Sequence, residues 1–181
     1  MKNDTDRKKR RFGGSVRKLV FLGMLTALSV VLNRFASIHT AGWTIGFAFV
    51  PVAFAAMLYG PIAGAAVGGL ADLIGALLFP FGPYFVGFTV TAALKGAVYG
   101  WFLHRDTVEY FPHFLPSVGI NCVLIGLFAD TLWVSILYES RTYWGWFVYR
   151  LPEYAMLVPV NLILLPLLVP LRDALKKSHR L

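Results

Sequence analysis

Three ionisable side chains stand inside runs that are otherwise apolar: Asp72 in YGPIAGAAVGGLADLIGALL, Lys95 in TVTAALKGAVYG and Asp130 in IGLFADTLW. An isolated charge in such surroundings is costly, so each needs a partner or a ligand. Two chemistries suit the set: a structural ion-pair network, or a site where one carboxylate accepts hydrogen bonds from an amino-heterocycle. A third is a proton relay in an ion-coupled transporter. Nucleophilic catalysis finds no support. Ser29, Ser135 and Cys122 have no His close in sequence, and His39, His104, His113 and His179 lack the i, i+4 spacing of a helical metal site. No Gly-rich loop ending in Lys-Ser/Thr is present to cradle ATP phosphates. No catalytic residue, metal or cofactor is therefore expected.

Above these charges the sequence gathers aromatic residues. Trp43, Phe81, Tyr84, Phe88 and Trp133 fall near one end of the apolar runs. An interfacial belt of Trp and Tyr accounts for many such residues in any membrane protein. A subset, broken by the Gly-Pro turn FPFGPYF, is expected to line a pocket for a flat ligand. Arg34, Arg141 and Arg150 are expected at its mouth, where a guanidinium can grip a carboxylate through two bonds. Snorkelling to the interface competes as a reading for Arg141.

The elements that must position these groups are apolar helices. Gly60, Gly64, Gly68 and Asp72 recur every fourth residue and share one face; Gly87, Thr91, Lys95 and Tyr99 do the same on the next helix. Ala92, Gly96 and Gly100 form a second small stripe, and small stripes let helix backbones approach closely in lipid. Counted from the turn at Phe79 to Phe85, Asp72, Lys95 and Asp130 all lie roughly 10–15 Å deep at 1.5 Å per residue. The spacing predicts six spans: 16–36, 47–58, a third ending at Leu78, 87–103, 114–137 and 148–171. Pro152, Pro159 and Pro166 repeat at intervals of seven in the last and should bend it. Ser37 to Gly46 reads as a loop.

Composition sets the class. Of 181 residues 57% are hydrophobic and 14% charged, which leaves almost nothing for a soluble domain. The formal net charge of +8 sits at the ends rather than on a nucleic-acid-reading face. Basic ends around an even number of spans predict two cytoplasmic termini. The expectation is an all-α integral membrane protein in the bilayer of a prokaryotic cell membrane. It would have a basic, irregular segment 1–15, a six-helix domain 16–172 and a basic tail 173–181. The basic start and first apolar run are read as a retained helix rather than a cleaved signal, because no small-x-small site follows.

The block GPIAGAAVGGLADLIGALLFP followed by FGPYFVGFTVTAALKGAVYG resembles the six-helix substrate-binding (S) components of energy-coupling factor (ECF) vitamin transporters, the folate group among them. The weaker likeness runs through the whole chain, and Val86 departs from a Pro expected before GFT. The resemblance implies capture of a vitamin from outside, then transport driven by a transmembrane coupling protein and two ATPases. It also implies a small-xxx-small docking motif on the first helix, matched here by Gly23 and Ala27. Folate, a flat amino-pterin carrying a dicarboxylate tail, suits the residues above. Arg34, Trp43, Asp72, Phe81, Tyr84, Phe88, Thr91, Lys95, Asp130, Trp133 and Arg150 are the expected contacts. Pantothenate or thiamine is the alternative ligand.

Overall fold

The computed structural model describes residues 4–40, 43–80, 82–105, 110–138 and 140–178; side chains at 4–15, 39, 40, 43, 110, 111 and 178 lie outside the description. Six helical elements carry the chain. They are Asp4–Phe35, Phe49–Tyr59, Pro61–Leu78, Val86–Leu103, a composite fifth over 110–137, and Tyr143–Ser178. The first helix begins at Asp4, so the basic lead-in, expected to be irregular, continues the helical backbone. The last helix runs without a break through Pro152, Pro159, Pro166 and Pro170.

Five of the six are long and apolar enough to cross a membrane. The second has 11 residues, about 16 Å at 1.5 Å per residue, roughly half the hydrocarbon thickness. It makes up for its shortness by burial. Pro51 to Met57 are all buried, as a helix that is apolar on every side must be. Pro51 sits in the first turn, where the backbone N–H groups lack intrahelical partners in any case.

Gly60 turns the second helix into the third at φ +89°, the one positive φ among the described residues, and Pro61 starts the new helix. The third and fourth helices then run together along the two small stripes. A methyl group at Gly64 would run into the backbone of Gly96, one at Gly68 into Ala92, and one at Gly100 into Pro61. Such close approach is how helices bind in lipid, where packing replaces the hydrophobic effect.

Two departures from the expected pattern shape the upper half. Ser37 to Gly46 contains a short antiparallel hairpin, Ile38–Thr40 paired with Trp43–Ile45. The chain is all-helical in class, with this short two-stranded cap as its one departure among the described residues. The fifth element alternates α and π geometry: π-helical over Tyr110–Phe114 and Ile120–Ala129, α-helical over Leu115–Gly119 and Asp130–Leu137. The wider turn is visible where the Asp130 N–H donates to the Ile125 carbonyl, five residues back.

Candidate binding site

All six helices, the hairpin and the turn after the third helix enclose a cavity of about 720 Å³, within the usual range for small-molecule sites. Its floor lies deep. Tyr99, thirteen residues below the start of the fourth helix, is about 20 Å down at 1.5 Å per residue. The turn supplies Pro80, Gly82, Pro83, Tyr84 and Phe85 at the other end, and Thr44 comes from the hairpin.

Seven of the expected residues line this one space: Arg34, Asp72, Tyr84, Phe88, Lys95, Asp130 and Arg150. Lys95 Nζ lies 2.6 Å from Asp130 Oδ2. Asp72 is not bonded into that pair. Its Oδ2 accepts from the Thr89 hydroxyl at 2.7 Å, and Tyr84 in turn approaches Thr89 at 3.0 Å. Arg34 lies near enough to feel the Asp72 charge. The Arg34 guanidinium packs over Gly75, where a Cβ would meet its Nε at 2.8 Å. A larger residue there would make the flexible end of the Arg34 side chain shift.

Arg150 was expected at the mouth, yet it is only 5% exposed. Its Nε donates to Glu153 Oε2 (3.1 Å), and its terminal nitrogens donate to the Thr131 hydroxyl (3.2 Å) and the Tyr154 hydroxyl (2.9 Å). Glu153 Oε1 accepts the backbone N–H of Thr44 at 3.1 Å, tying the hairpin to the last helix. Arg141 does not line the cavity. It stacks over Tyr149 and Trp146, at 4.5 and 5.5 Å from the ring centroids.

Thr91 and Trp133 are likewise absent from the lining. The Thr91 hydroxyl is spent on the Gly87 and Phe88 carbonyls of its own helix. Trp133 stands behind the wall, its ring 5.4 Å from that of Phe85 and closed in by Gly87. The Trp43 backbone belongs to the hairpin, but its side chain, and all of Phe81, lie outside the described residues. Gly23 and Ala27 are exposed on the outer face of the first helix, with nothing within 4 Å of a Cβ built at Gly23.

Sequence reasoning missed Glu153, Asn121, Asn161 and Thr89. Glu153 had a signal: it stands three residues after Arg150, the spacing of a helical ion pair. It balances the site, since three cations (Arg34, Lys95, Arg150) line the cavity with three carboxylates (Asp72, Asp130, Glu153).

A deep, charge-balanced cavity under an aromatic rim, inside a bundle built to sit in lipid, defines a membrane-embedded binding protein for a small polar molecule. Residues 13–172 match the family model described as ECF-type riboflavin transporter, S component. The chain belongs to that family and is a multi-pass membrane protein. It is 35% identical to the folate transporter FolT of Clostridium novyi (strain NT) over 150 residues, 83% of this chain and 86% of that one. It is 30% identical to the folate transporter FolT of Leuconostoc mesenteroides over 158 residues, 84% and 80% respectively. A crystal structure of FolT bound with folic acid superposes with a TM-score of 0.74 at 32% identity, covering 80% of this chain and 86% of the other.

Proposed function

We propose that this chain is the folate-binding S component of an ECF importer, capturing the vitamin from outside a bacterial cell and releasing it inward. The observation that carries the reading is the deep cavity with flat aromatic walls at one end and two ion pairs below. The identity to the FolT proteins supports folate as the ligand. The amino-pterin enters first, towards Asp72, Lys95 and Asp130. Tyr84 and Phe88 flank the rings. Trp133 and Thr91 act from behind, by holding Phe85 and the start of the fourth helix. Arg34, on the rim side, takes a carboxylate of the glutamate tail, while Arg150 holds the wall.

In this reading both termini face the cytoplasm, and the short second helix completes six membrane elements. The outward Gly23 and Ala27 face a transmembrane coupling protein, which two ATPases drive. The chain itself binds and carries no catalytic step. Intrinsic Trp fluorescence of the purified protein in detergent, titrated with folate, riboflavin, pantothenate and thiamine and corrected for ligand absorbance, tests the reading. Saturable quenching by folate at the lowest concentration is expected. The family description makes riboflavin the sharpest competitor, and a preference for it would overturn the folate assignment while keeping the S-component class.

A further inference from the structure

On the cavity floor Tyr99 donates its hydroxyl proton to Asn161 Oδ1 at 2.8 Å, and Asn161 Nδ2 donates to the Leu157 carbonyl at 2.8 Å. The Asn121 amide comes close enough to the Tyr99 hydroxyl to interact with it, but not in the geometry of a hydrogen bond, and neither its Nδ2 nor its Oδ1 bonds any other described residue. The side chain is 2% exposed and lines the cavity. A buried amide whose groups are left unbonded is destabilising, because their lost hydration is not replaced. A ligand that presents a donor and an acceptor side by side recovers both.

The backbone explains how Asn121 reaches that wall. Asp130 is nine residues further on, and nine residues of α-helix make two and a half turns, which would set the two on opposite faces. The stretch between them is π-helical, and with i→i+5 bonding nine residues make only about two turns. Asn121 and Asp130 therefore line the same space. Asp130 keeps one oxygen open as well: Oδ2 holds Lys95, whereas Oδ1 has no hydrogen-bond partner among the described residues. The wall thus offers a carboxylate oxygen and, about two turns deeper, an amide that both donates and accepts.

We infer that Asn121 is a specificity-determining residue of the cavity, whose amide reads an edge of the ligand's heterocycle where a donor and an acceptor are adjacent. The inference rests on the folate reading, since a pterin carries such edges in its lactam and in its amino group beside a ring nitrogen. The π-helical stretch is what brings that amide onto the face of Asp130. An oxygen-only side chain at 121 would serve only the donor half of the edge.

The test uses the full-length protein in detergent, with radiolabelled folate displaced by unlabelled folate, by aminopterin, whose lactam oxygen is replaced by an amino group, and by p-aminobenzoyl-glutamate, which lacks the pterin. The wild type must bind folate; if it does not, the folate reading fails before Asn121 is tested. Asn121→Leu is expected to weaken folate by about 10- to 100-fold, the worth of one or two hydrogen bonds, and to change the fragment by less than about twofold. Asn121→Asp is nearly isosteric but acceptor-only, and should shift the folate-to-aminopterin preference about tenfold towards aminopterin. Unchanged folate affinity in Asn121→Leu, equal losses for folate and fragment, or an unmoved preference in Asn121→Asp would each overturn the assignment. Should Asn121→Leu fail to fold, the preference measured on Asn121→Asp decides.

Discussion

Two ion pairs share the cavity wall and differ in how fully they are satisfied. Arg150 and Glu153 have side chains only 6% and 4% exposed. The guanidinium bonds three groups on two helices and the carboxylate reaches across to the hairpin. Lys95 is 31% exposed and, among the described residues, makes one bond, to an aspartate whose second oxygen has no partner there. The first pair is held from two helices and the hairpin and fixes the frame; the second is more exposed and leaves one carboxylate oxygen without a partner among the described residues. A buried pair is expensive to break because the survivor stays desolvated, whereas a half-exposed charge can turn to water or to a ligand.

Breaking the more deeply buried pair is the most severe way to try that distinction. Arg150→Met leaves Glu153 buried opposite a thioether, and removing one partner of such a pair costs about 3–5 kcal/mol. The thermal midpoint of the ligand-free protein in detergent should fall sharply, and Arg150→Met with Glu153→Gln should recover part of the fall by removing the stranded charge. A single variant that melts like the wild type would show that this pair is not the frame. Lys95→Gln cuts at the other pair while keeping a donor for Asp130. Its midpoint should move by less than half as much, while folate affinity drops by about tenfold, roughly 1.4 kcal/mol. Equal thermal losses in the two variants would erase the difference between the pairs.

What the sequence made legible was periodic, and what it hid was long-range or out of register. The four-residue stripes found the seam between the third and fourth helices, because Gly64 meets Gly96 and Gly68 meets Ala92 along an ordinary α-helical face. Depth counting brought Asp72, Lys95 and Asp130 to one cavity for the same reason. Asn121 escaped because a period of 3.6 turns it away from Asp130, and nothing in the residues themselves announces the wider π turn that brings it back. Ser37 to Gly46 reads as a loop in the sequence because part of what holds its hairpin is a carboxylate 109 residues away in the chain. Thr91 misled in the opposite sense. It sits on the right stripe, but a buried hydroxyl on a helix is readily satisfied by its own carbonyls.

The smallest effect on the isolated protein is expected at Gly23, and there the size of the effect carries the argument. In the seam a glycine is indispensable: a side chain at Gly96 would meet the backbone of Gly64. At Gly23 no other element among the described residues lies within 4 Å of an added Cβ, and Met24 and Leu28 beside it are also exposed. Gly23→Leu should therefore leave the thermal midpoint and folate affinity as they are, so the stable frame and the ligand-facing pair are both untouched. Yet a bulky residue on a small-xxx-small face keeps a second helix from approaching. Cells that supply the coupling protein and both ATPases should then lose folate uptake while the purified variant still binds folate. If uptake persists, the outward face of the first helix is not where the coupling protein docks. If binding falls in parallel, that helix instead shapes the cavity through Ser29 and Arg34, which line it from the same element.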